Sequence, residues 1–282
     1  MKFTRLRVLC EPGQEVNEDS CAASERYLLA LDGATGLYDQ HVTEDRSDAR
    51  WLARRGAEEL SARLNQSDAP LPELCREAAL TLRDEFDALA GEAARTAYPS
   101  AGIALLRLCG GTLEYYGLGD LTTLLRRRDG RVEVIHDGRL SRLDRAALQE
   151  MARLARENGG TVREQRPRVQ ALLQRNRSLR NREGGYSIFD PTAEGAEEGT
   201  WLQWPAEEIR TAAILSDGMA DAVPVYGMAP DYGAILTCLE QEGPRAVYEA
   251  LRRLQREDPT FDRYPRFKAA DDVTVVLADL EG

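Results

Sequence analysis

Four strand-like runs, AGIALLRLC, TLEYYGLG, LTTLLRRR and RVEVIHD, follow one another between residues 101 and 137, separated only by Gly-Gly, Gly-Asp and Asp-Gly pairs. A parallel crossover needs about a dozen residues or more, whereas an antiparallel hairpin closes in about two. This stretch therefore commits the chain to antiparallel sheet. Upstream, FTRLRVLC alternates like a strand and RYLLALD reads as a buried one. Residues 43–64 read as a helix with Trp51, Leu52, Leu60 and Leu64 on its apolar side, and a second helix covers residues 71–90. Downstream, helical patterns over residues 141–158 and 166–180 precede the glycine-rich NREGGYSIFDPTAEGAEEG, where Gly184 and Gly185 are expected to end the helix. Strands TWLQWP and RTAAILSD follow, then helices around residues 231–240 and 245–257, and a last strand DVTVVLADL. Strands and helices in separate blocks predict an α+β fold. Tyr186, Phe189, Trp201 and Trp204 are expected to pack in the core or on the sheets.

The 282 residues can bury one large core, and no stretch rich in Pro, Ser or Gly marks a boundary. A single domain over residues 1–282 with an insertion is expected. Its formal charge of −11 repels phosphate backbones and argues against nucleic acid as a general partner. Cys10, Cys21, Cys75, Cys109 and Cys238 form no CxxC pair and are odd in number, so neither a zinc knuckle nor a complete disulfide framework is indicated. Most are expected in the core. His41 and His136 lack helical HxxxH spacing, which disfavours zincin chemistry. The basic N-terminus has no apolar segment behind it, and no apolar run approaches about 18 residues. Neither export nor membrane insertion is indicated, and a cytoplasmic location is expected.

The acids are placed less evenly. Glu18 and Asp19 precede one strand-like run, Asp32 follows it and is itself followed by Gly33. Asp120 follows YYGLG, Asp217 ends TAAILS before Gly218, and Asp271 and Asp272 precede VTVVLADL. Each lies where an apolar run meets a turn or helix, so its side chain can reach a common cleft while the strand anchors it. Carboxylates that share a site raise one another's pKa unless a cation neutralises them. Taken singly, each has an ordinary structural alternative: Glu18 and Asp19 closing a turn, Asp32-Gly33 a tight turn, Asp217 a helix N-cap, Asp271 a solvated turn residue.

The ordered set NED, LLALDGATG, GLGDLT, ILSDGMADAV and ADDVTVVL, running from Asn17 to Leu277, resembles the motifs of the metal-dependent serine/threonine protein phosphatases of type 2C, as a divergent bacterial-type member. The resemblance implies an αββα sandwich of two antiparallel sheets flanked by helices, with two Mn2+ or Mg2+ ions at one end. Carried over by position, Asp32 bridges the two ions and the Gly33 carbonyl binds one of them, which Glu18 or Asp19 supports directly or through water. Asp217 and Asp271 bind the other ion, and Asp120 with Asp217 matches the pair that holds a third in some bacterial members. The family commonly has Asn where Asp272 stands, so Asp272→Asn is expected to be mild. Oxygen-only ligands suit such hard cations. The implied chemistry is phosphomonoester hydrolysis by a metal-activated water, and the chain has no convincing nucleophilic triad: Ser216 lies outside any GxSxG elbow.

The resemblance fails in two of its motifs. Where the family has a phosphate-gripping arginine, EPGQEVNED has Gln14, and DGATGL has Ala34 and Thr35 after Asp-Gly and lacks the histidine of some eukaryotic members. A replacement charge is visible in TVREQRPRVQALLQRNRSLRNREGG, where Arg163, Arg166, Arg168, Arg175, Arg177, Arg180 and Arg182 face mainly Glu164 and Glu183. The resemblance makes this part of a flap at about residues 137–200 beside the active site. Either it is a solvated face whose arginines pair with surface acids, or it recruits phosphoprotein through residues such as Arg175, Arg177 and Arg180. Two functions remain: a protein phosphoserine/phosphothreonine phosphatase, favoured by the acids, and a non-catalytic phosphatase-like regulatory or scaffolding module, favoured by Gln14.

Overall fold

The hairpin run from residue 101 onward is divided between two sheets. In the computed structural model, which describes residues 1–34, 41–90 and 98–281, β4 (Ala101–Cys109) and β5 (Thr112–Leu118) belong to one sheet, β6 (Thr122–Arg127) and β7 (Val132–Ile135) to the other. The first has the order β2 (Asp19–Ala23), β3 (Tyr27–Gly33), β4, β5, β8 (Thr200–Pro205). The second runs β1 (Lys2–Glu11), β10 (Val273–Glu281), β9 (Ile209–Leu215), β6, β7, and every pairing in both is antiparallel. Gly119-Asp120 is thus a crossing between sheets, not a hairpin turn. Gly119 has φ +82°, and a Cβ there would lie 2.8 Å from the Gly102 Cα, so glycine is required both by the backbone and by the close approach to β4.

Period-two alternation builds the layers. On β3, Leu28 and Ala30 face the other sheet and pack with Leu106, Leu125, Ile214 and Val276. Leu29 and Leu31 face outward onto Trp51, Leu52 and Leu60 of α1 (Asp48–Gln66) and Leu82 and Phe86 of α2 (Leu71–Ala90). The outer face of the other sheet, including Leu124, Leu215, Val275 and Leu277, meets α6 (Tyr232–Gln241) and α7 (Pro244–Glu257) through Ile235, Leu236, Leu239, Val247 and Leu251. The architecture is the α+β, αββα sandwich. Among the described residues no helix is long and apolar enough to cross a membrane.

Between β7 and β8, α3 (Gly138–Asn158), a 3₁₀ turn (Arg163–Val169) and α4 (Gln170–Arg177) form the flap segment, with a small apolar core of Ala147, Met151, Val162, Val169, Leu173 and Phe261. The helix expected over residues 166–180 is therefore broken. Pro167 lies inside the 3₁₀ turn, and an α-helix starts only after it. Gly184 and Gly185 do not end that helix, which stops at Arg177; the Gly185 N–H closes a separate turn on the Arg182 carbonyl (2.9 Å). The first helix likewise starts later than residue 43. Ser47 caps it by accepting the Arg50 N–H (3.0 Å), and Asp48 accepts from the Val42 and Thr43 amides, fixing residues 43–47 as a turn. Trp204 is buried and its Nε1 donates to Glu133 Oε2 (2.9 Å), but Trp201, on the edge strand β8, is 44% exposed. All five cysteines are free and only Cys75 is fully buried.

Arg107 on β4 is 1% exposed, and its Nε donates to Glu114 Oε2 of β5 (2.7 Å), whose other oxygen accepts from Gln203 of β8 (3.1 Å). Glu114→Ala leaves that guanidinium buried without its counter-charge. It is expected to lower stability by about 3–5 kcal/mol, read as a drop in the urea midpoint; an unchanged midpoint would show that water reaches Arg107.

Candidate active site

The acids singled out by position meet at one rim of the sandwich, where β3, β5 and β9 end and β2, β4 and β10 begin. Asp19 and Asp32 are register partners across β2 and β3, and Asp32 also lies opposite Gly102 of β4. The Asp217 N–H reaches Asp32 Oδ2 at 3.4 Å, joining an acid of one sheet to an acid of the other. Asp217 opens the short helix α5 (Asp217–Ala220); the N-cap position falls to Ser216, whose side chain makes no capping bond. Gly33 donates to the Glu18 carbonyl (3.1 Å), and Glu18 Oε1 accepts from the Ser47 hydroxyl (2.6 Å), so the cap of α1 also holds the Glu18 carboxylate.

Asp272 fastens this rim. Its Oδ1 accepts the Gly13 N–H and its Oδ2 the Glu18 N–H, each at 2.7 Å. Asp271 points the other way. Its Oδ1 accepts from Lys268 Nζ (2.9 Å) and from the Asp272 amide (3.0 Å). The neighbouring acids therefore divide the work: Asp272 is bound to backbone and buried, Asp271 opens to the cavity.

That cavity, about 890 Å³, has Asp32, Asp120, Asp217 and Asp271 on one wall, Gln14 at its exposed lip and Arg163, Arg166 and Arg177 on the wall facing them. A second cavity of about 670 Å³ shares Asp120, Asp217, Lys268 and Asp271 and runs behind α3 towards Tyr226 and Tyr232. Of the three flap arginines expected at a substrate, only Arg177 lines a cavity. Arg175 is exposed, and Arg180 Nη1 donates to the Tyr98 carbonyl (2.8 Å) close to Asp190. Thr35, Gly36 and Leu37 lie outside the described residues.

The electrostatics match the crowding. Burial, then the charges of Asp217, Asp19, Asp120 and Asp271, push Asp32 well above the ordinary carboxylate range. Burial followed by Asp271, Asp120 and Asp221 does the same to Asp217. Burial and Asp144 raise Asp120 to about 7. Two acids that the sequence reading passed over belong to the cluster: Asp221, raised to about 7 by burial and then Asp271, Asp120 and Asp144, and Asp144 of α3, raised to about 6 chiefly by burial. Asp221 was legible as the residue one helical turn after Asp217, whereas nothing local marks Asp144. Lys268 was missed as well. Burial works against its charge, but Asp271, Asp217 and Glu18 outweigh burial and hold the ammonium above its ordinary value.

The donor chemistry suits hard divalent cations. It is all carboxylate oxygen, and Asp19 Oδ2 is buried without a hydrogen-bond partner. Among the described residues no three His, Cys, Asp or Glu side chains already converge as a closed cage. Such a rim fits ions that keep several waters, as Mg2+ does.

A sequence profile described as Protein phosphatase 2C matches residues 10–254. No curated protein matches the chain. Among solved structures, the chain is similar to the Mycobacterium tuberculosis serine/threonine phosphatase PstP/Ppp, at 20% identity and TM-score 0.58 with 100% of each chain covered. It is also similar to serine/threonine phosphatase Stp1 from Staphylococcus aureus, at 14% identity and TM-score 0.56 over 100% of this chain and 96% of that one. A catalytic domain of serine threonine protein phosphatase PstP in complex with 2 manganese ions aligns at 19% identity and TM-score 0.56 over 99% of each chain. These likenesses are of fold.

The geometry of Asp272 adds to one expectation. An asparagine keeps a single acceptor oxygen for two inward-pointing amides, so Asp272→Asn, expected to be mild in its effect on rate, carries a cost in stability. It is expected to cost about 1–3 kcal/mol and to speed hydrogen exchange at the Gly13 and Glu18 amides; unchanged exchange there would refute the fastening role.

Proposed function

We propose that this chain, which belongs to the protein phosphatase 2C family, is a cytoplasmic, metal-dependent phosphomonoesterase acting on phosphoserine or phosphothreonine in proteins. The observation that carries the reading is the cavity with acids from both sheets on one wall and arginines on the other. An acid wall alone repels a phosphate dianion; acids that hold cations, opposite fixed guanidinium groups, attract it.

In this reading Asp32, the Gly33 carbonyl, Glu18 or Asp19, Asp217 and Asp271 would together hold two Mn2+ or Mg2+ ions. Asp120 and Asp217 would hold a third. Bound there, the ions would supply a water acidic enough to be hydroxide near neutral pH and positive charge against the phosphoryl oxygens. The chain positions the reactants. Asp32 is fixed by its strand pairing and by the Asp217 amide, and Asp271 by the Asp272 amide. Ser216 is no competitor as nucleophile: it is fully buried and its Oγ accepts the Thr274 N–H (2.8 Å). The Arg177 side chain, whose Nη1 also donates to the Ala34 carbonyl (3.3 Å), gives the flap wall a fixed charge for the phosphoprotein.

The exposed neutral Gln14 at the lip favours the second reading, a phosphatase-like regulatory module. Hydrolysis of an aryl phosphate with added Mn2+ separates the two, since it needs the ions and little substrate recognition. Asp32→Ala is expected to abolish both Mn2+ binding, measured by calorimetry, and hydrolysis, and Asp217→Asn and Asp271→Asn each to slow hydrolysis by at least about a hundredfold. Wild-type rates in Asp32→Ala would refute the assignment; an inert wild type with Mn2+ bound would leave the regulatory module.

Arg177→Gln is expected to raise KM for a phosphopeptide more than for a small aryl phosphate. Arg180→Gln should instead lower the melting temperature, because its guanidinium is tied to the Tyr98 carbonyl. Equal effects of the two on phosphopeptide KM would show that flap charge acts diffusely.

A further inference from the structure

The stretch AEEGTWLQWPAEE, residues 196–208, sets an uncharged strand between two copies of the same acidic tripeptide, in a chain of which 30% is charged. The strand is β8, the last of its sheet, paired with β5 on one side and, among the described residues, with no strand on the other. Every second residue of such an edge turns its N–H and C=O outward, where another chain can pair with them. The side chains are open too: Trp201 is 44% and Leu202 39% exposed, and as neighbours on a strand they point to opposite faces. The other sheet edges are guarded. β1 has Lys2, Arg5 and Arg7 and an interrupted register between Thr4 and Arg7, β7 is four residues long and bears Glu133, and β2 is five residues long and opens with Asp19. We propose that β8 is a docking strand, which takes an extended segment of another protein, apolar at alternate positions and basic at both ends, as a sixth strand of its sheet.

The ends of the strand decide what can dock. Both tripeptides form 3₁₀ turns whose first residue is buried and tied down: the Tyr116 hydroxyl donates to the Ala196 carbonyl, and the Ala206 N–H to the Gly111 carbonyl (2.9 Å). The glutamate pairs that follow are exposed and so presented from fixed positions. Arg127 pairs with Glu208, Arg139 attracts Glu198, and Arg128 donates to the Glu207 and Leu280 carbonyls (2.8 and 3.2 Å). Among the described residues the carboxylates of Glu197 and Glu207 have no ion-pair partner. A second copy of this chain is a poor occupant. Pairing two β8 strands antiparallel about their middle sets Glu197 and Glu198 of one copy opposite Glu208 and Glu207 of the other, and each copy has a formal charge of −11. Like charges directly opposite destabilise a strand pair, whereas lysine or arginine at those places turns the same geometry into attraction. Pro205, with no N–H to give, closes the ladder at its far end.

The test uses the full chain and three synthetic peptides. The first has Thr-Val-Thr-Val-Thr between two lysine pairs, the second has glutamate pairs in their place, and the third keeps the lysines and has proline for both valines. Calorimetry reads affinity, and hydrogen exchange reads where the peptide lies. The lysine peptide is expected to bind at least about tenfold more tightly than either of the others and to slow exchange at amides of β8 but not at those of the β1 edge. In Glu197→Lys/Glu207→Lys the preference between the lysine and glutamate peptides should reverse. Leu202→Lys, a charge set at an exposed edge position, should weaken the lysine peptide and leave the melting temperature near that of wild type. Equal affinity for the lysine and glutamate peptides overturns the proposal, and so do equal affinity for the proline peptide, binding of none of the three, and protection outside β8. A wild type that dimerises in sedimentation with its β8 amides protected overturns it in favour of a second copy. The peptide comparison on wild type decides even where a variant fails to fold.

Discussion

The whole rim depends on holding like charges together. Asp32, Asp120, Asp217 and Asp271 come from both sheets and line one cavity wall, and burial plus mutual repulsion pushes at least three of them above their ordinary range. A flexible loop would separate such groups. Here each sits at the end of a strand whose other residues are locked in apolar layers, so separating the acids would mean unzipping sheet pairs. Asp272 adds a second restraint by spending both carboxylate oxygens on backbone amides. Gly218 shows how tight the seam is: a Cβ there would lie 1.9 Å from the Asp272 carbonyl oxygen. The sandwich supplies the rigidity and the rim stores the repulsion, which a divalent cation would relieve.

The positive charges are divided by a similar logic. Arg107, Arg180, Arg252 and Arg266 use their planar forks to satisfy carbonyls and carboxylates inside the fold: Arg252 reaches the Asp271 carbonyl (2.7 Å) and Arg266 reaches Asp258. This suits a weakly hydrated group with several fixed donors. A count of flap arginines therefore overstates the charge offered to a ligand, and Arg177 differs from Arg180 although the two are three residues apart. α4 ends at Arg177, so the helical spacing that would have put both on one face does not continue.

What was legible in the sequence was whatever period and position encode. The unbroken apolar run in RYLLALD marked a strand buried on both faces, as Leu28 to Leu31 are, and the acids were recognisable because each ends or begins an apolar run. Long-range choices were not. Gly119-Asp120 reads like any short turn, and only the approach to Gly102 makes it a crossing between sheets. Trp201 and Trp204 have the same local pattern, yet β8 is an edge strand, which leaves one exposed and lets the other reach Glu133. Asp144 and Lys268 join the acid wall from a flap helix and a loop before β10, and no spacing in the sequence relates them.

The two cavities differ chiefly in their cations. Both share Asp120, Asp217 and Asp271, so a ligand meets the same acids in either. The larger cavity adds Asp32 and faces Arg163, Arg166 and Arg177, whereas the other adds Asp221 and has Arg145, Arg266, Tyr226 and Tyr232 on its walls. Each cavity is lined by five aspartates, so they differ in their cations: charge falls off slowly in a partly buried site, and an anion meets three arginines on the flap side against two on the other. Asp144 lines both, next to Arg177, and its charge opposes that arginine. Lys268 also lines both, ion-paired with Asp271 at their common acid wall, so it is a charge that the two cavities share and not one that tells them apart.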